Sequence, residues 1–206
     1  MRRLIAALRR SVLFEIVFTV VVALGLAITV QAYAVKPYRI PSASMMPTLK
    51  VGQRVVVDRF SHRLGATPEV GQIVVFRPPK GADDEVCGNS HQGGDTRFPC
   101  GQPVSQQDPT TFIKRVVAVG GDTIAIKDGH AIRNGKLQSE PFIAPCGGGI
   151  GCDFPRAIRV PKGSVFLMGD NRGESDDSRF WGPVPTSWII GRAFATYWPP
   201  ARIGGV

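Results

Sequence analysis

Phe112-Ile113-Lys114-Arg115-Val116-Val117-Ala118-Val119-Gly120-Gly121-Asp122 is the stretch that decides the fold. Its β-branched residues fit a pleated surface better than a helix, and Gly120-Gly121 closes the run. A run of this length reads as a buried β-strand that carries two cations, and placing charge inside an apolar strand is costly. Alternation puts Lys114 on the face of Phe112 and Val116, and Arg115 on the face of Ile113 and Val117, so period alone does not separate them. Chemistry does. Arginine keeps its proton, whereas a lysine desolvated by apolar neighbours can lose it and act as a general base. Arg115 reads instead as a cation that snorkels or pairs with a carboxylate at a strand edge.

Outward from this strand, the same short apolar runs recur at Arg54–Val57, Ile73–Phe76, Thr123–Ile126, Val165–Met168 and Ile189–Tyr197. Gly, Pro and Asp punctuate them, so the expected fold is mainly β, an antiparallel sheet domain. Asp128-Gly129 and Asn134-Gly135 favour the tight turns of hairpins. The polar, Gly-rich and cysteine-bearing stretch at 78–110 reads as a long loop or insertion, and 127–160 as a reduced hairpin region.

Towards the N-terminus, no charged residue appears from Ile16 to Val35. A helix of that length, at ~1.5 Å per residue, covers the ~30 Å of a bilayer's hydrocarbon core. The expected organisation is a basic cytoplasmic N-terminus at 1–11, a transmembrane helix at 12–35 and an extracytoplasmic domain at 36–206, because Arg2, Arg3, Arg9 and Arg10 precede the apolar run. Ala32-Tyr33-Ala34 has the A-x-A form of a processing site, so the rival reading is a cleavable signal peptide. The length of the run favours an uncleaved anchor, although self-cleavage after Ala34 would release the domain.

The 25 basic and 16 acidic residues leave a net charge of +9, which suits an anionic partner. Aromatics are not interleaved with Lys and Arg as in single-strand nucleic-acid platforms, so the expected partner is a phospholipid membrane and not nucleic acid. The cysteines form two close pairs, Cys87 with Cys100 and Cys146 with Cys152, without zinc-ribbon spacing. Proximity makes two local disulfides the simplest connectivity in an oxidising compartment, with buried free thiols as the alternative. No metal or organic cofactor is expected.

Two further segments carry hydroxyls and charge. In Ile40-Pro41-Ser42-Ala43-Ser44-Met45-Met46-Pro47-Thr48-Leu49, two prolines stiffen the backbone around Ser44. Ser44 reads either as a held nucleophile or as part of a capped turn, and the conventional bases on offer are His62, His91 and His130, none of them in a motif. Residues 168–185, Met-Gly-Asp-Asn-Arg-Gly-Glu-Ser-Asp-Asp-Ser-Arg-Phe-Trp-Gly-Pro-Val-Pro, form a strand end followed by a charge-rich loop. Alone, that loop reads as a solvated charge run.

Taken together and in this order, P-S-x-S-M-x-P-T-L, F-I-K-R-V-V-A-V-G-G-D and G-D-N-R with S-x-D-S-R-x-W-G-P-V-P resemble bacterial type I signal peptidases over nearly the whole chain. The resemblance implies a membrane-bound serine endopeptidase that removes signal peptides from secretory precursors through a Ser/Lys dyad and an acyl-enzyme. By position, Ser44 matches the nucleophile, Lys114 the general base, and Ser42, with the backbone N–H of Ser44, the oxyanion hole. Ser175 matches the hydroxyl that orients the lysine. Asp177 and Arg179, with Asp170 and Arg172, match structural ion pairs. Ile40, Pro41, Leu49, Phe112 and Ile113 match the lining of shallow pockets for small residues at the first and third positions before the cut. Cys146 and Cys152 match a disulfide of some members, while the Cys87 to Cys100 segment has no counterpart. The alternative within the class is a processing peptidase for pilin-like or conjugation substrates. A self-cleaving repressor would carry a DNA-binding helical domain where this chain has its apolar run.

Overall fold

The computed structural model describes residues 2–33, 35–88, 97–148 and 151–206. His91 and Ala34 lie outside the described residues. Helix α1 (Arg2–Tyr33) leads into β1 (Val35–Arg39), β2 (Arg54–Asp58), the single-turn α2 (Phe60–Arg63), β3 (Ile73–Phe76) and β4 (Phe112–Val119). There follow β5 (Thr123–Lys127), β6 (His130–Arg133), β7 (Lys136–Leu137), β8 (Phe154–Arg159) and β9 (Ser164–Met168). The chain closes with α3 (Ser178–Trp181), β10 (Val184–Pro185), β11 (Ile189–Trp198) and β12 (Gly204–Gly205).

On α1 the described side chains from Val12 to Leu26 include exposed Leu, Phe, Ile and Val. Among the described residues no helix is long and apolar enough to cross a membrane.

The strands form two antiparallel sheets. The larger runs β1-β2-β11-β3-β4-β9-β10, with β12 added to β11, and the smaller runs β7-β6-β5-β8. The expected strands are all present, with β1 beginning at Val35, where the anchor was expected to end. At β3, β4 and β9 the large sheet is buried on both faces. Along β3, Ile73 and Val75 enter one cluster with Ile40, Met45, Leu49 and Ile113. The intervening Val74 and Phe76 enter a second cluster with Val116, Leu167 and Trp181 on the other side. Two-sided burial explains why β4 is a near-continuous apolar run and why alternation could not mark one face as the core.

The small sheet is more than a pair of hairpins. It starts at Thr123, before the expected 127, and β8 pairs with β5 to complete it. Ile124, Ile126, Phe154 and Ile158 pack against Val117, Phe166 and Met168 of the large sheet in one cluster. Two-residue loops join β5 to β6 and β6 to β7. Asp128, Gly129, Asn134 and Gly135 all have positive φ. That is the type I′ geometry which matches strand twist, and Asn-Gly and Asp-Gly adopt it at least cost.

Candidate active site

Ser44 lies in the turns that follow β1, and it is held by the core beneath and by the loop beside it. Met45 and Leu49 are fully buried in the core, each stabilising the turn by roughly 1.5–3 kcal/mol through the area it removes from water. Beside the turn, Asn171 donates its backbone N–H to the Ser44 carbonyl at 3.0 Å and its side-chain amide to the Ala43 carbonyl at 3.3 Å. Thr48 Oγ1 donates to Asp170 Oδ2 at 2.5 Å. Ser44 is thereby fixed with 8% of its surface exposed, and its Oγ lies 3.3 Å from Ser42 Oγ.

Ser42, Ser44 and Lys114 open onto one cleft of ≈ 280 Å³, whose apolar lining includes Ile40, Pro41, Phe112 and Ile113. Leu49 is not part of that lining. It points the other way, into the core beneath, because it follows Met45 by one helical turn (Leu49 N–H donates to the Met45 carbonyl at 2.8 Å) and shares its buried side.

Lys114 is 4% exposed. Its Nζ donates to Ser175 Oγ at 2.9 Å and sits 5.8 Å from the centre of the Phe112 ring. Burial is the main force on its pKa, pushing it down to about 8; Asp177, Asp176 and Asp170 pull it up and Arg179 pushes it down. Among the described residues no hydrogen bond joins Lys114 Nζ to Ser44 Oγ; the two residues line the same cleft.

Ser175 is positioned by the Asp177–Arg179 pair, both residues being almost completely buried. Arg179 grips Asp177 through Nε to Oδ1 at 2.8 Å and Nη2 to Oδ2 at 2.9 Å, and also donates to the Ser175 carbonyl at 3.0 Å. Asp177 Oδ2 accepts from the Gly169 N–H at 3.0 Å. Burial alone would raise the Asp177 carboxyl, but the Arg179 guanidinium and this hydrogen bond hold it below the usual carboxylate range.

The other two expected ion-pair residues do not pair with each other. Asp170 is held by Arg115, Nε to Oδ1 at 2.8 Å and Nη2 to Oδ2 at 2.7 Å. Arg115 stands opposite Met168 in the β4–β9 register, so its fork reaches the carboxylate just past the strand end. This corrects the expectation of an edge position: β4 lies between β3 and β9 in the sheet. Arg172 is held by Glu140, Nη2 to Oε1 at 2.7 Å, and donates to the Gly129 carbonyl, tying the small sheet to the loop after β9.

Cys87 pairs with Cys100 and Cys146 with Cys152, each with Cα atoms 5.8 Å apart. Both loops converge on Arg179, since the Cys100 N–H donates to its carbonyl at 2.8 Å and its Nη1 donates to the Gly151 carbonyl at 2.6 Å. Residues that sequence reasoning missed are Thr48, Asn171, Gly169 and Glu140. The first three lie inside the quoted motifs, which is the signal that could have found them; Glu140 lies in no motif. Among the described residues no group of three or more His, Cys, Asp or Glu side chains is arranged to hold a metal ion.

The sequence model of the family described as signal peptidase, peptidase S26, matches residues 13–198. The probable signal peptidase I-1 of Synechocystis is 39% identical over 184 residues, covering 89% of this chain and 81% of its own. The probable signal peptidase I of Mycobacterium leprae is 32% identical over 241 residues, covering 96% of this chain and 80% of its own. The signal peptidase I of Leptolyngbya laminosa is 33% identical over 198 residues, covering 94% and 84%. On the match to the family model and on these identities, the chain belongs to the signal peptidase family, peptidase S26, and is a serine endopeptidase.

Proposed function

We propose that this chain removes signal peptides from secreted precursor proteins, with Ser44 as nucleophile and neutral Lys114 as general base. The observation that carries the reading is Lys114 Nζ, buried, hydrogen-bonded to Ser175 Oγ and open to the same cleft as Ser44. A neutral amine has two N–H donors and one lone pair. Spending one N–H on Ser175 leaves the lone pair to turn towards the Ser44 hydroxyl. With a pKa of about 8, roughly one lysine in ten is neutral at pH 7, against fewer than one in a thousand for an exposed lysine.

In the first step Ser44 Oγ attacks the scissile carbonyl as its proton passes to Lys114 Nζ. The Ser44 backbone N–H and the Ser42 hydroxyl donate to the oxyanion of the tetrahedral adduct. Lys114 returns the proton to the leaving amine as the C–N bond breaks, and the signal peptide stays on Ser44 as an ester. A water deprotonated by Lys114 then hydrolyses the ester and restores both residues. The cleft's lining by Ile40, Pro41, Phe112 and Ile113 supports selection of small apolar residues at the first and third positions before the cut.

The same reading places residues 12–35 across the membrane as a single anchor, with 1–11 in the cytoplasm and 36–206 outside. What supports it is the uncharged run from Ile16 to Val35 and the arginines ahead of it. The precursor is then presented from the same membrane that holds the enzyme.

Incubating the purified protein with a precursor carrying an Ala-x-Ala site, beside the Ser44→Ala variant, tests the reading. Cleavage after the second alanine by the wild type alone is expected, and equal cleavage by both proteins would remove Ser44 from the mechanism.

A further inference from the structure

The described parts of the cysteine-bearing insertion, 78–88 and 97–109, are built into the fold. Residues 78–88 are hydrogen-bonded to residues 102–108: Asp108 N–H to the Pro78 carbonyl at 2.8 Å, Lys80 N–H to the Gln106 carbonyl at 2.8 Å and Gly88 N–H to the Gln102 carbonyl at 2.9 Å. The Cys87–Cys100 bridge crosses between them. Its root is set in the core. Ala82, 3% exposed, packs with Phe76 and Trp181, and the Cys100 N–H is bound to the Arg179 carbonyl. The short 3-10 turn Ala82–Asp84 therefore has a fixed side, and Asp83 on it lines the same cleft as Ser44 and Lys114.

Asp83 joins Glu174 and Asp176 in that lining, while Arg39 is the exposed cation of the cleft and belongs to β1. All three carboxylates are solvent-exposed, and among the described residues none is held in an ion pair. Glu85, next in the chain to this turn, faces Asp176 as well, and its carboxyl is raised by burial and by the Asp176 charge. Apart from Arg39 the exposed charges of the cleft lining are these carboxylates, and over a low-dielectric floor such a majority of one sign focuses its field on what enters.

We infer that the root of this arm, the turn Ala82–Asp84, is a specificity wall, in which Asp83, with Glu174 and Asp176, favours precursors carrying a basic side chain beside the small residues at the cut and disfavours acidic ones. The inference rests on the active-site reading above and names the substrate class that reading leaves open. No step of the chemistry changes. The wall acts on binding of the flanking side chain, so its effect falls in kcat/KM and weakens with salt.

The test uses three peptides that share one Ala-x-Ala cut and differ at a flanking position, walked along both sides of the cut: lysine, glutamine and glutamate. The full-length wild type, Asp83→Asn and Asp83→Lys proteins are compared, with Ser44→Ala as the blank. The ratio of kcat/KM for the lysine peptide to that for the glutamate peptide does not depend on how much of a variant is folded.

At one or more positions the wild-type ratio is expected to exceed one by on the order of three- to tenfold at low salt, as for one partly screened charge contact. Asp83→Asn should bring it towards one and Asp83→Lys below one. A wild-type ratio near one at every position, with the glutamine peptide cleaved, overturns the wall and leaves the dyad standing. A wild-type ratio unmoved by either Asp83 variant overturns the role of the arm. Loss of the dyad reading looks different: the glutamine peptide is then uncut by the wild type, or is cut as well by Ser44→Ala, and the inference falls with it.

Discussion

Gly169 stands so close to Ser175 that a Cβ on the glycine would fall 2.6 Å from the serine's Cβ, and closer still to its Oγ and to the Ser44 carbonyl oxygen. The missing side chain is thus the space in which the end of β9, the turn bearing Ser44 and the hydroxyl that holds Lys114 come together. Gly169→Ala must push Ser175, the Ser44 backbone or both. We expect kcat to fall by at least tenfold, with a loss of stability of about 1–3 kcal/mol, the usual cost of overpacking. Measuring kcat alongside the melting temperature checks this; normal turnover would mean that the contact can relax freely.

Lys114→Ala and Lys114→Arg should be equally inactive, because the guanidinium keeps its proton. The buried lysine also leaves a mark on stability. Its folded pKa of about 8 lies below the ordinary lysine value of 10.5, so between those values the unfolded chain binds a proton that the folded one does not. Stability of the wild type relative to Lys114→Met should therefore rise with pH across that window, by up to about 3 kcal/mol, and be flat below it. Denaturant melts of both proteins at several pH values measure the difference; a difference that falls across the window would contradict a depressed lysine.

Ser42 Oγ lies 3.3 Å from Ser44 Oγ, and its proposed part is donation to the oxyanion. Ser42→Ala should lower kcat by roughly 10²–10³ with little change in substrate affinity. Ser42→Thr keeps the hydroxyl and should retain much of the activity. A residue that only caps the turn would instead cost ~1 kcal/mol of stability with near-normal turnover, so kcat and melting temperature together separate the two roles.

Non-reduced peptide mapping should recover Cys87 joined to Cys100 and Cys146 joined to Cys152. Their sequence separations are 13 and 6. Loop closure of that size corresponds to about 3 and about 2 kcal/mol respectively. Reduction should lower the melting temperature accordingly, and because both loops hydrogen-bond to Arg179, activity should fall with it. Free alkylation of all four thiols in protein taken from its native membrane would contradict both bridges.

The strands were legible because two-sided burial turns them into β-branched runs, as in Ile73–Phe76, and the two hairpin turns because only certain residues accept positive φ. β8 was not. In Phe154–Arg159 only Phe154 and Ile158 are buried, with a proline, an arginine and an alanine between them, so no apolar run marks it. The residues of the site were legible as motifs, but their partners were not. Arg115 and Asp170 are 55 positions apart, and Arg172 and Glu140 are 32 apart; only the fold shows which acid each arginine meets. Leu49 illustrates the converse, since its motif position carries no information about which side of the turn it faces.

The pH dependence of kcat/KM tests the lysine base most directly, on a peptide with no group titrating between pH 6 and 10. The account predicts a rising limb at about 8, the value burial gives Lys114, unmoved by replacing His62, His91 or His130. A limb near ~6.5, where an ordinary histidine titrates, that disappears when one of those histidines is replaced would contradict it.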